Sequence, residues 1–293
     1  MKTNYFILTA ALLIFFGCRG QVSNPISAQF EKGKTLAELT DKKLKETSGL
    51  SASVQNPGSL WAVCDKGNSP EIYLIDKDLN IKFTVTLQGV SNRDWEDIAV
   101  GPGPEVGTTY IYVGDIGDND AVYPVKYIYR FKEPTLSTEA NIALHDFDKI
   151  TFRLEDAIKD TESLFIDSKT RNLFVVSKRE EPVFVYMLSY PQSLSDTVIA
   201  SKALSLPFEG IVAADCSPET GDILMKNYDK IFYRKNTSGL DPVSLLKTQP
   251  EEVPYEKELQ GESITWATDA PGFYTLGEMK KKQPTYLYFY SKK

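Results

Sequence analysis

Asn92-Arg93-Asp94-Trp95-Glu96-Asp97-Ile98-Ala99 sets three carboxylates and an indole directly ahead of a short apolar strand. The same theme recurs as Glu46-Thr47-Ser48-Gly49-Leu50, Asp160-Thr161-Glu162-Ser163-Leu164 and Gly261-Glu262-Ser263-Ile264. Each time an acid precedes one or two small or polar residues and then a strand. Glu46, Glu96, Glu162 and Glu262 are spaced 50, 66 and 100 residues apart, the last interval being close to two steps of 50. Repetition on that scale marks repeat architectures. The chain therefore reads as a ring of similar units, each presenting an acid at the same place.

Alternating apolar residues, β-branched and aromatic content, and Gly, Pro, Asn and Asp breaks fill in the strands. Unit one runs through Leu50–Val54, Leu60–Cys64, Glu71–Ile75 and Ile81–Val85. Unit two runs through Asp97–Val100, Tyr110–Gly114, Tyr127–Phe131 and Ile150–Leu154, after a longer connection. Unit three has Ser163–Ile166, Leu173–Ser177, Val183–Tyr186 and Ala203–Leu206. Unit four has Ile211–Ala214, Ile223–Met225, Lys230–Tyr233 and Val243–Leu246. Unit five has Ser263–Trp266, Phe273–Gly277 and Thr285–Phe289, and then stops one strand short. No run reads as a long amphipathic helix. Four-stranded antiparallel units on this period fit an all-β protein, a β-propeller of five blades. A raw sheet edge is an aggregation site, so the unpartnered strand around Thr35–Leu39 is expected to fill the empty outer position of unit five. Six blades would follow if the Pro134–His145 connection hides strands. A two-domain β-sandwich does not explain the acid spacing.

A chain of 293 residues with 42% hydrophobic content can fill a core. Its formal net charge of −7 argues against a nucleic-acid partner, because phosphate binding needs clustered Lys and Arg. His145 is the single histidine, so His-based triads and multi-His metal sites are excluded. Lys2 and the apolar run Tyr5–Phe16 form a secretion signal too short to span a bilayer. Gly17-Cys18 ends that run like a lipobox, which makes Cys18 the expected lipidation site. Residues 1–18 are then signal, 19–33 a flexible tether and 34–293 the propeller domain. The expected location is the cell envelope, periplasmic or outer-membrane associated, with membrane contact through the lipid only and the protein a monomer. Cys64 and Cys216 fall in strands of different units and are expected as buried free thiols.

In a propeller the start of each first strand lies beside the end of the second. This would gather Glu46, Glu96, Asp97, Glu162 and Glu262 with Asp65, Asp115, Lys178 and Glu278 on one face, with Asp94, Asp118 and Asp160 in adjoining loops and Asp215 a little deeper. Crowded carboxylates raise one another's pKa. A bound cation relieves that, and oxygen ligands without a His or thiolate cluster suit Ca²⁺ rather than zinc. The candidate metal ligands are Glu46, Glu96, Asp97, Glu162, Asp215 and Glu262. Asp115, Lys178 and Glu278 are the candidate catalytic groups. The alternative is that the acids cap inner strands by accepting from loop amides. Trp61, Trp95 and Trp266 would either wall the mouth or pack between blades.

The Asn92–Ala99 stretch, Tyr112-Val113-Gly114-Asp115-Ile116-Gly117-Asp118-Asn119 and Asp160–Leu164 together resemble a family of exported bacterial β-propeller proteins or lipoproteins whose activity is not settled. The likeness covers most of the chain from Glu46 onward. More distantly the chain resembles calcium-dependent phosphotriesterases, gluconolactonase and paraoxonase relatives, and propeller phytases. That resemblance implies Ca²⁺ in the channel and hydrolysis of a small anionic or ester substrate, such as a phosphoester or lactone. Two other functions stay open. One is glycoside hydrolysis on a five-bladed propeller with paired carboxylates. The other is a non-catalytic surface module for a protein or glycan ligand.

Overall fold

A computed structural model describes residues 24–136, 138–269, 271–280 and 283–293. The chain enters through β1 (Lys34–Glu38) and a single 3-10 turn, Lys42–Leu44. A first group follows: β2 (Thr47–Ala52), β3 (Leu60–Cys64), β4 (Glu71–Ile75) and β5 (Ile81–Leu87). Then come β6 (Trp95–Pro102), β7 (Thr109–Asp115), β8 (Lys126–Lys132), β9 (Asn141–Leu144) and β10 (Asp148–Leu154). The next four are β11 (Thr161–Ile166), β12 (Leu173–Ser177), β13 (Val183–Leu188) and β14 (Val198–Leu206). The chain closes with β15 (Ala213–Cys216), β16 (Ile223–Lys226), β17 (Ile231–Arg234), helix α1 (Pro242–Leu246), β18 (Glu251–Val253), β19 (Ser263–Trp266), β20 (Gly272–Leu276) and β21 (Tyr286–Ser291).

The protein is all-β and its sheets form a propeller-like arrangement. The sheet orders are β2-β3-β4-β5-β9, β15-β16-β17-β18 and β1-β21-β20-β19, with an eight-stranded sheet β11-β12-β13-β14-β10-β8-β7-β6. That large sheet joins two antiparallel four-strand groups through one parallel pair, β10 with β14. The first strands pack in a closed cycle: β2 on β6, β6 on β11, β11 on β15, β15 on β19, and β19 back on β2. Every seam of the cycle holds its own apolar cluster. Trp61, Phe83, Trp95 and Tyr129 fill one seam, and Phe165, Phe174, Met225 and Phe232 another. A fully buried side chain of this size contributes about 1.5–3 kcal/mol, so the seams hold the cycle together.

Strand β1 pairs antiparallel with β21, filling the outer position of the last group as the strand shortfall implied. Several expectations are corrected. The segment 134–145 does contain a strand, but β9 adds in parallel to β5 and builds no further sheet. Val243–Leu246, read as a strand, lies in α1. Asp241 caps it by accepting from the Ser244 amide, and Pro242 occupies the first turn, both standard helix-start signals. The fourth strand of that group is β18. The described part of the expected tether is docked rather than free. Ser27 N donates to Glu252 O and Glu31 N to Ser291 O. Phe30 is 2% exposed, in contact with the rings of Tyr233, Trp266 and Phe273. An aromatic side chain inside a polar run was the missed signal. The signal segment and Cys18 lie outside the described residues. Cys64 and Cys216 are buried free thiols. No helix among the described residues is long and apolar enough to cross a membrane.

Candidate functional site

Four backbone hydrogen bonds define one face of the ring. The carbonyls of Glu46, Asp94, Asp160 and Gln260 accept from the amides of Asp65, Ile116, Lys178 and Glu278 at 2.9, 3.1, 3.2 and 2.8 Å. The start of each first strand thus lies against the end of the second, as expected. The same bonds correct two assignments. Ile116, not Asp115, is level with Asp65, Lys178 and Glu278. Glu46 is level with Asp94 and Asp160, one step outside Glu96 and Glu162.

A bulge shared by three groups marks the equivalent positions. The register slips between Thr47 and Gly49, between Trp95 and Asp97, and between Thr161 and Ser163. The extra residues are Ser48, Glu96 and Glu162. A bulge leaves one residue outside the ladder and re-aims its side chain, which turns Glu96 and Glu162 into the ring mouth. In the first group Ser48 holds that position, and its hydroxyl donates to Trp95 O at 2.8 Å. Glu46 is outside the site: it pairs with Asn68 at 2.9 Å and Lys45 at 3.2 Å. The Asn68 hydrogen bond, helped by Lys45, holds its carboxyl below the usual range.

Two other candidate ligands are latches. Asp97 Oδ1 accepts from the Ile98 amide and Oδ2 from the Leu164 amide, both at 2.8 Å, tying β6 to β11. Asp215 accepts from the amides of Cys216 and Trp266 at 2.8 Å and from the Thr265 hydroxyl at 3.1 Å, tying β15 to β19. Burial pushes Asp97 well above the usual carboxylate range and Asp215 up to about 6. Their oxygens accept from amides on both sides of the seam, the strand-capping arrangement of the alternative reading. Asp115 also faces inward. It accepts from the Asp94 amide at 3.1 Å and sits 3.4 Å from Arg93 Nε, positioning Asp94 rather than reaching substrate. Asp118 accepts from the amides of Val122 and Tyr123 and shapes its own loop. Trp61, Trp95 and Trp266 are all buried and pack between sheets.

The groups that do converge are Asp65, Asp94, Glu96, Glu162, Lys178, Glu262 and Glu278. Asp65 and Asp94 are neighbours, as are Glu96 and Glu162, and Glu262 lies beside Glu278. Burial, reinforced by Glu162, Asp65 and Asp94, pushes Glu96 far up. Burial pushes Glu162 up to about 8, against the pull of Lys178. Asp94 rises to about 6 and Glu278 to about 7 for the same first reason, with Lys66 and Lys280 opposing. Like charges confined together cannot all ionise cheaply. Lys178, expected to hold an anionic group, is committed to Glu162 at 3.1 Å and lies 5.5 Å from the Tyr228 ring centroid. Burial works against its charge, but Glu162, Tyr228 and Glu262 outweigh that and keep it cationic. Tyr228 donates to Glu262 and completes this side of the mouth.

One subset has metal-binding geometry. A carboxylate oxygen from each of Asp65, Asp94 and Glu96 lies within 4.8 Å of the other two. Asp94 Oδ1 is buried and accepts no hydrogen bond. Gly117 makes room for the group: a Cβ there would lie 2.1 Å from Glu96 Oε1 and 2.5 Å from Asp94 Cγ. Sequence spacing pointed to Glu96 and placed Asp65 and Asp94 nearby, but not as one triad. The role of Gly117 was not read from the sequence.

No protein-family model matches the chain, and no curated protein matches it. Among solved structures the chain is similar to the PQQ-bound form of aldose sugar dehydrogenase from Streptomyces coelicolor. Identity is 10%, the TM-score is 0.49, and the match covers 92% of this chain and 99% of that one.

Proposed function

We propose that the chain is an exported, lipid-anchored, five-bladed β-propeller whose acidic mouth binds Ca²⁺ and serves a metal-dependent hydrolase of phosphoester or lactone/ester substrates. The blade count is supported by the closed cycle of β2, β6, β11, β15 and β19 and by the division of the large sheet at its parallel pair. Strand β1 then acts as the closing strand.

The observation that carries the cation reading is the Asp65–Asp94–Glu96 triad, whose buried Asp94 Oδ1 accepts no hydrogen bond and faces only the half-exposed Lys66 ammonium at 3.5 Å. A single ammonium leaves three crowded carboxyl groups under-compensated, and a hard cation with oxygen ligands suits them. A cation there would polarise a phosphoryl or ester oxygen and acidify a bound water. Glu162, on the next inner strand with its carboxyl pushed up to about 8, is largely protonated at neutral pH and is suited to give its proton to a leaving group. Lys178 holds that carboxyl in place.

The test is metal analysis of the purified protein, followed by phosphoester, lactone and glycoside substrates with and without EDTA. Turnover that EDTA abolishes supports the proposal. Metal-independent glycoside cleavage would replace it with the glycosidase reading. Calcium binding without turnover would leave a non-catalytic surface module. For the anchor, mature protein should partition into detergent and Cys18→Ser should abolish that. An unmodified N-terminus by mass spectrometry would remove the lipid from the account.

A further inference from the structure

The triad carries a cation of its own. Lys66 directly follows Asp65, and its Nζ stands 3.5 Å from Asp94 Oδ1. The Asp94 side chain is 4% exposed and the Lys66 side chain 48%. The ammonium therefore reaches in from solvent along an exposed stem. The loop beneath it is pinned. Asn68 Nδ2 donates to Asp65 O at 2.8 Å and to Glu46 Oε2 at 2.9 Å, and Gly67 takes φ +81° to make the turn. Against this pinned backbone the Lys66 side chain is half exposed to solvent. Lys280 reaches the buried Glu278 in the same way, outside the triad, but two other lysines near the mouth differ. Lys178 is 15% exposed against Glu162, and Lys226 is wholly buried against Glu258.

We propose that Lys66 is a displaceable internal counter-ion of the Asp65–Asp94–Glu96 site. Its ammonium neutralises Asp94 when no metal is bound and moves out to solvent when a divalent cation takes its place. The inference rests on the cation-binding reading above. An ammonium and a divalent cation held by the same carboxylate repel each other strongly at this distance, so they bind in competition. Because Lys66 is tethered, it competes at a high local concentration. A monovalent ion gains no more from the triad than the ammonium does and is excluded. A divalent ion gains more and displaces it.

Calorimetric titration with CaCl₂ of the wild type, Lys66→Met and Lys66→Arg tests this. Lys66→Met keeps the stem and removes the competitor, so calcium affinity should rise about tenfold, while Lys66→Arg stays near or below the wild type. Acetic anhydride labelling read by peptide mass spectrometry gives a second readout. Labelling of Lys66 should rise several-fold in saturating CaCl₂, while that of Lys226 does not change. Equal affinities in wild type and Lys66→Met, with labelling insensitive to CaCl₂, would overturn the counter-ion role and leave the cation site standing. No calcium heat in any of the three proteins would remove the cation site and the proposal with it.

Discussion

Replacing Phe30 by alanine should destabilise the whole ring although Phe30 precedes the first strand. Its side chain is 2% exposed and inserts among Tyr233, Phe273 and Trp266, at centroid distances of 5.0, 5.2 and 6.2 Å. Those residues belong to β17, β20 and β19, so the ring wedges a seam of the cycle. Truncating a buried Phe to Ala costs about 3–5 kcal/mol from lost transfer energy and the cavity left behind. At roughly 2–4 °C per kcal/mol for a large domain, the melting temperature should fall by roughly 6–20 °C. Ile26, in the same segment but 69% exposed, is the internal control. Ile26→Ala should stay within about 0.5 kcal/mol of the wild type. Differential scanning calorimetry of both variants is the assay. A Phe30→Ala melt indistinguishable from that of Ile26→Ala would show that residues 24–33 are a tether after all.

Asp97→Asn should cost about 1–3 kcal/mol with or without metal, because the new amide group faces a backbone N–H that has lost its acceptor. Urea unfolding in EDTA and in CaCl₂ checks this, and a loss seen only in CaCl₂ would return Asp97 to the ligand set. The metal-free protein should lose stability as pH rises from about 4.5 to about 8. Glu162, Glu278 and Asp94 have raised pKa values in the fold, near 8, 7 and 6, so the folded state binds more protons than the unfolded state in that window. A urea midpoint in EDTA that climbs between pH 5 and 8 contradicts the crowding of these acids. Deleting residues 34–45 removes the closing strand and should abolish the cooperative melt, read by circular dichroism; a retained sharp transition would show that β1 is dispensable.

The sheets were legible because short runs of β-branched and aromatic residues are set apart by Gly, Pro, Asn and Asp breaks, and because the last unit visibly lacks a strand. Helix α1 was legible too, in Asp241-Pro242, but its apolar Val243–Leu246 run matches a strand over so short a window. Strand β9 was not, because a parallel addition to β5 leaves no local pattern. The site was half legible. Glu96, Glu162 and Glu262 follow from the repeat. Glu46 and Asp115 were misplaced because the first group carries Ser48 where the next two carry Glu96 and Glu162, and the second carries Ile116 where its neighbours carry Asp65 and Lys178, so the nearest acid in sequence is not the equivalent one. Asp97 and Asp215 look like ligands in sequence, and only their amide partners across the seam reveal them as latches.

The central claim is that the crowded carboxylates of the mouth are there to hold a cation. Melting temperature with and without CaCl₂, for the wild type and Glu96→Gln, tests it most directly. The wild type should gain about 2.7 kcal/mol at a hundredfold excess of calcium over Kd. Glu96→Gln should lose most of that gain, yet be no less stable than the wild type in EDTA, because a neutral amide replaces a carboxyl that burial and its acidic neighbours already push towards the neutral form. If calcium leaves the wild-type melt unchanged, and Glu96→Gln destabilises equally in EDTA and in calcium, the acids are strand caps and the cation account fails.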